Sequence, residues 1–236
     1  MSNKILFVFE GESTEIQIIN NLKNFFVNEN VSLHCIYGGE IYQIYKQIKL
    51  DEDLDTFNLL KERSIENKSI LKDYNRDDFA EIYLFFDYDG HSIIADDKKL
   101  NELLIFFNEE TEKGKLYISY PMIEAIKHLK KETSFKDIVA KCEKAYKSEV
   151  ACSCDEEFKN FNNYTKENWE YIVNQHSKKA NYVVNDNFIF PTSLISQNEI
   201  FEKQKEKYIN ISENVAVLGS FPIFLLDYYG IDKFKF

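Results

Sequence analysis

Ile5, Leu6, Phe7, Val8 and Phe9 form an unbroken apolar run that stops at Glu10, Gly11 and Glu12, with Glu15 three residues further on. A continuous run of β-favouring residues predicts a strand covered on both faces; a half-wet strand would alternate apolar and polar positions. Behind it, Ile16, Ile19, Leu22, Phe25 and Phe26 recur at helical spacing, and Thr14 with Gln17 has the form of a capping box. VSLHCIYGG predicts a second strand closed by Gly38 and Gly39, EIYQIYKQIKL a helix, and the charged residues 51–77 a helical insertion or lid. AEIYLFFDYDGHS repeats the opening theme, a strand over 82–86 that runs straight into Asp87, Asp89 and Gly90. DDKKLNELLIFFNEE is amphipathic, KLYISYP reads as a fourth strand, and Pro121 predicts the first turn of a helix over PMIEAIKHLKK.

Strand and helix thus alternate over 1–132, which predicts an α/β domain built on a parallel sheet with helices on its faces. From 133 to 212 the segments read as helical, rich in Lys, Asn and aromatic residues, with KENWEYIVNQHSKKANYVV the clearest; this stretch is expected as a helical subdomain or insertion. Residues 213–236 contain VAVLGSFPIFLLDYYG, read as a strand, a turn at Gly219 and an apolar helix from near Pro222, packing back on the α/β domain.

A chain of 236 residues that is 44% hydrophobic supports a packed core and argues against wholesale disorder. Its 29 basic against 40 acidic residues give a net charge of −11, which excludes holding nucleic acid by charge alone. A nucleic-acid role then needs a local basic face, a bridging metal or a basic partner. Lys127, Lys130, Lys131, Lys136, Lys141, Lys144 and Lys147 offer such a face, with a solvated helix as the plain alternative. The start lacks the pattern of a signal peptide, and no stretch nears the roughly 20 apolar residues of a membrane span. The expectation is a soluble cytoplasmic protein whose Cys35, Cys142, Cys152 and Cys154 stay reduced. CSC at 152–154 lacks the paired spacing of a zinc site. No glycine-rich phosphate loop is present, so the chain is not expected to be an ATPase or a dinucleotide enzyme by itself.

The chemistry concentrates in the acids that end two strands. Asp87 and Asp89 are two apart and point the same way in an extended segment. If the first and third strands are parallel neighbours, Glu10 joins them at one edge, where ligands of open α/β sheets sit. Such carboxylates repel one another, and a divalent cation removes the conflict; an all-oxygen set suits Mg²⁺ or Mn²⁺. Gly11 and Gly90 follow the acids directly, where the chain must turn and a phosphate would approach. Glu12 reads as a solvated loop acid.

FVFEGESTE followed some 70 residues later by YLFFDYDGH resembles the TOPRIM domain, with its E-G and D-x-D strand ends. The STE after E-G and the segment SYPMIEAIKHL are similar to the OLD-nuclease and RloB-like branch, over roughly residues 4–128. The resemblance implies a Rossmann-like sheet, with Glu10 as metal ligand or general base and Asp87 and Asp89 as metal ligands. Glu15 and Glu124 would complete a second metal position, and His91, Lys127 and His128 are weaker candidates for touching a phosphate. It further implies a Mg²⁺- or Mn²⁺-dependent nuclease, more an endonuclease than an exonuclease, acting on DNA or on tRNA or other RNA. Such a subunit would serve phage defence with a separate ATPase, and a homo-oligomer is compatible with it. Two rivals stay open: a non-catalytic subunit that binds a partner or nucleic acid, and a metal-dependent enzyme of small phosphorylated substrates.

Overall fold

The computed structural model describes residues 4–11, 13–26, 31–39, 41–50, 55–88, 96–142 and 145–235. Five strands, β1 (Lys4–Phe9), β2 (Ser32–Tyr37), β3 (Glu81–Asp87), β4 (Asn108–Glu109) and β5 (Gly114–Ser119), form one mostly parallel sheet in the order β2-β1-β3-β5-β4. β1 pairs in parallel on both sides, with Phe9 opposite Tyr37 of β2 and Phe85 of β3. β4 and β5 pair antiparallel within it. β1 and β3 are buried along nearly their whole length, which is why both read as unbroken apolar runs. Phe7 and Phe85 meet edge to face across the pair, with ring centroids 5.5 Å apart. The α/β class expected from the alternation of elements is therefore present.

Helices α1 (Thr14–Lys23), α2 (Ile41–Ile48), α3 (Thr56–Glu62), α4 (Ile65–Ile70) and α5 (Asp97–Phe106) accompany the strands. The capping box expected from Thr14 and Gln17 does not form: Ser13 holds the N-cap position without a side-chain cap, and Thr14 is already helical. Gly38 closes β2 because nothing larger fits. A Cβ there would sit 2.7 Å from Cζ of Phe86 and 3.2 Å from Cγ1 of Val8.

The charged stretch expected as an insertion or lid is fastened to the end of β2. Asp55 caps α3, accepting from the Phe57 N–H at 2.9 Å, and Ser64 caps α4, accepting from the Asn67 N–H at 3.0 Å. Asn67 is wholly buried, and its amide donates to the Tyr37 carbonyl at 2.7 Å and the Leu60 carbonyl at 2.9 Å. The same side chain accepts from the Tyr37 N–H at 3.0 Å. Arg76 then ties the entry to β3 to the turn before β5, donating to the carbonyls of Phe79 at 2.7 Å and Glu112 at 2.9 Å.

The chain divides into two compact units, and the division falls within β3 and β5. One holds the described residues up to Phe86 and those of 96–116; the other holds Asp87, Tyr88 and 117–235. In the second unit β6 (Val139–Lys141) pairs antiparallel with β7 (Asn214–Ala216). Around them lie α6 (Tyr146–Ser153), α7 (Lys166–Asn185), α8 (Gln197–Gln204), a wide turn over Lys205–Ile209, α9 (Asn210–Ser212) and α10 (Ser220–Tyr229). α7 starts at a capping box in which Thr165 accepts from the Asn168 N–H at 3.2 Å and Asn168 accepts from the Thr165 N–H at 2.9 Å. Trp169, Ile172, Val173, Ala180 and Val183 line its buried stripe. α10 is buried at every position from Ser220 to Leu226, which explains its featureless apolar run. Its Ser220 hydroxyl lies 2.8 Å from that of Ser119, and Asp227 accepts a hydrogen bond from the Tyr117 hydroxyl.

The helix expected to begin at Pro121 does not form. Tyr120 exchanges two backbone hydrogen bonds with Leu218, at 2.8 and 2.9 Å, which keeps the chain extended up to the proline. Pro121 follows a cis peptide bond, Met122 is still extended, and only a 3₁₀ turn, Ile123–Lys127, follows. Among the described residues no helix is long and apolar enough to cross a membrane.

Candidate functional site

The acids that motivated the site begin at the sheet's carboxyl edge. Glu10 follows the paired residue Phe9 by one position, and Asp87 ends β3 two positions beyond Phe85, the residue opposite Phe9. β1 and β3 are thus parallel neighbours, and each runs into an acid along its own chain direction. Asp89, Gly90, His91 and Glu12 lie outside the described residues. Among the described residues no group of three or more His, Cys, Asp or Glu side chains is gathered closely enough to hold a metal ion.

Glu15 is buried in the first turn of α1, where an acid suits the helix dipole. Its Oε1 accepts from the Gly11 N–H at 3.2 Å. A Cβ on Gly11 would stand 3.1 Å from both Glu15 carboxylate oxygens. Glycine at 11 thus makes room for a carboxylate that folds back onto the turn behind Glu10, and Glu15 helps to set the shape of that turn.

Glu124 belongs to the second unit. The plain alternative for it was an exposed helix position; it is instead buried on the 3₁₀ turn, with its Oε1 3.0 Å from the Lys147 ammonium of α6. Lys127 places its ammonium 3.9 Å from the centre of the Phe161 ring. Burial pushes the Lys127 pKa down, while Glu124 pulls it up and Lys147 pushes it down. His128 was expected one turn beyond Glu124 on a common helical face. The segment is not α-helical, and the buried His128 ring instead sets Nδ1 3.0 Å from the Tyr146 hydroxyl. Burial first, then Lys130 and Lys179, lower its pKa and favour the neutral ring.

The lysine-rich run is not one solvated helix, since residues 127–147 pass through the 3₁₀ turn, β6 and the start of α6. Lys131 pairs with Glu157 at 2.9 Å, and Lys136 sits over the Tyr182 ring at 4.7 Å. Lys144 lies outside the described residues.

Two groups on α7 escaped notice in the sequence. Lys179 is fully buried, and its ammonium donates to the carbonyls of Ile138 at 2.8 Å, Phe135 at 3.3 Å and Lys136. Burial pushes its pKa down to about 7, with Asp137 pulling the other way. His176, also fully buried, accepts at Nδ1 from the Gly219 N–H at 3.0 Å, and burial pushes its pKa down to about 3. The available signal was a His and a Lys placed on the apolar stripe of an otherwise regular amphipathic helix.

No protein-family model, no curated protein and no solved structure matches this chain. What its residues define is an α/β protein whose first and third strands, side by side and parallel, both run into acids.

Proposed function

We propose that this chain is a TOPRIM-type nuclease that hydrolyses phosphodiester bonds of DNA or RNA with Mg²⁺ or Mn²⁺ and works with a separate ATPase. One observation supports the reading: β1 and β3 are parallel neighbours in the register Phe9 to Phe85, and in sequence each is followed by an acid, Glu10 after β1 and Asp87 at the end of β3. As donors, carboxylates without sulfur or imidazole fit a hard divalent ion. Glu10, Asp87 and Asp89 would hold it. When bound, such an ion stabilises charge on the phosphoryl oxygens and favours hydroxide at neutral pH. Glu10 would also be available as a proton acceptor for an attacking water. Glu15 holds the Gly11 N–H and so fixes the turn from which Glu10 projects. The acidic balance of the chain calls for a partner that helps to retain nucleic acid.

The test is direct. Purified protein is incubated with plasmid, single-stranded DNA and tRNA in Mn²⁺, Mg²⁺ or EDTA. Metal-dependent cutting is expected, and Glu10→Ala or Asp87→Ala should reduce it by more than the roughly 100-fold that outer-shell changes reach. A second reading, a non-catalytic binding subunit, is favoured by Glu124, whose carboxylate already has an ammonium partner. Absence of cutting under every metal condition, with an ATPase partner present, would support that reading and overturn the nuclease.

A further inference from the structure

The second unit contains a pocket of about 240 Å³ lined by His128, Lys130, Thr133, Phe135, Ile138 and Ser153. We propose that this pocket binds a phosphate group, either free or at the end of a nucleotide. The proposal stands apart from the carboxylate edge, because none of the acids assigned there lines the pocket.

Its walls are held in place. The Lys179 ammonium joins the carbonyls of Phe135, Lys136 and Ile138, fixing the segment that supplies two lining residues. Ser134 caps the turn over Phe135–Asp137, accepting from the Lys136 N–H at 3.2 Å. The His128 ring is oriented by its contact with the Tyr146 hydroxyl. Three lining side chains bring polar hydrogens suited to a phosphate: the Lys130 ammonium, the His128 imidazole and the Thr133 hydroxyl, whereas the Ser153 hydroxyl donates to the Val150 carbonyl at 3.5 Å.

The local charge has the sign an anion needs, although the whole chain is acidic. Lys130 and Lys179 are the two charged side chains that act on His128. Asp137 acts on Lys179, and Glu149 and Glu124 act on Tyr146, yet none of these three acids lines the pocket. Ser153 ends α6, and the carboxyl end of that helix opposes an anion, so the Lys130 charge has to carry the attraction. The volume falls below the roughly 300–1,000 Å³ of sites for drug-sized ligands, which suits a phosphate and the sugar bearing it.

The test follows the His128 ring by NMR in EDTA, where no metal at the carboxylate edge contributes. The probes are inorganic phosphate, AMP, and a short oligonucleotide with or without a 5′-phosphate, with chloride at matched ionic strength as the control. Saturable shifts are expected with phosphate and AMP and with the phosphorylated oligonucleotide only. Lys130→Ala should weaken binding roughly tenfold, the scale of one charged hydrogen bond, and Thr133→Ala less. Both positions are exposed, so neither variant threatens folding. Response to inorganic phosphate alone would assign the site to free phosphate, and response to AMP and the phosphorylated end would assign it to nucleotide ends. Shifts equal to those in chloride, shifts unchanged in Lys130→Ala, or equal response to the unphosphorylated oligonucleotide would overturn the proposal. Phosphate binding here, together with no cutting in any metal when the ATPase partner is present, would leave the pocket standing and remove the nuclease.

Discussion

The Lys147 ammonium lies 3.0 Å from Oε1 of Glu124, joining a largely exposed cation to a buried carboxylate. A divalent ion that used Glu124 would have to displace that ammonium. Lys147→Ala is expected to cost about 1–3 kcal/mol, because the buried Glu124 carboxylate loses its ammonium although the lysine itself is mostly solvated. If Glu124 is a metal ligand, the same variant should bind Mn²⁺ severalfold more tightly in a calorimetric titration. Unchanged affinity would remove Glu124 from the ligand set.

His176 makes stability depend on acid. Its folded pKa of about 3 lies below the ordinary 6.5, so unfolding takes up a proton between those values. Its contribution is complete above pH 6.5 and is lost as the pH falls toward 3. Urea melts should show a decline below pH 6.5, steepening toward about 1.4 kcal/mol per pH unit for one such group. His128, lowered in the same direction, adds to it. His176→Phe should be less stable at neutral pH, since the Gly219 N–H loses its acceptor, yet should decline less steeply down to about pH 5.

Asn67→Ala tests whether the 55–78 segment is fastened through one amide. The substitution leaves the Tyr37 N–H and carbonyl and the Leu60 carbonyl without their present partner. A loss of about 2–3 kcal/mol is expected from denaturant unfolding, the scale of burying unsatisfied polar groups. A change below about 0.5 kcal/mol, typical of an ordinary surface position, would contradict it.

The four cysteines form no disulfide and should react unequally. Burial pushes the Cys35 thiol up to about 11, Cys154 is raised the same way, and Cys142 is buried. Cys152 alone is exposed. Ellman's reagent at neutral pH should label Cys152 in a fast phase that Cys152→Ser removes, with the others following only on unfolding.

Local pattern made the strands over 5–9 and 82–86 legible, because a strand buried on both faces leaves an unbroken apolar signature. α7 was legible as the clearest of the helix-like segments beyond residue 133, and its one-sided buried stripe accounts for that. The adjacency of β1 and β3 is not local; it came as a condition on the site, and the sheet order meets it. What failed depended on partners far away in sequence. Pro121 does not open a helix because Leu218 holds Tyr120 extended, and nothing near the proline announces this. Lys179 was readable as a polar intruder on an apolar stripe, but the carbonyls that receive it lie more than 40 residues earlier. For the site itself, Glu10 and Asp87 were legible as strand ends, whereas the pairing of Glu15 with Gly11 and of Glu124 with Lys147 required coordinates.

Asn67 has one more effect, on how copies of the protein can meet. A strand from another molecule adding alongside β2 would need the amide and carbonyl of Tyr37, and both are already engaged by one side chain. At the opposite border β4 is only two residues long, too short to template a newcomer. Among the described residues, extension of this sheet by another molecule is thereby hindered at the Tyr37 end of β2 and along β4.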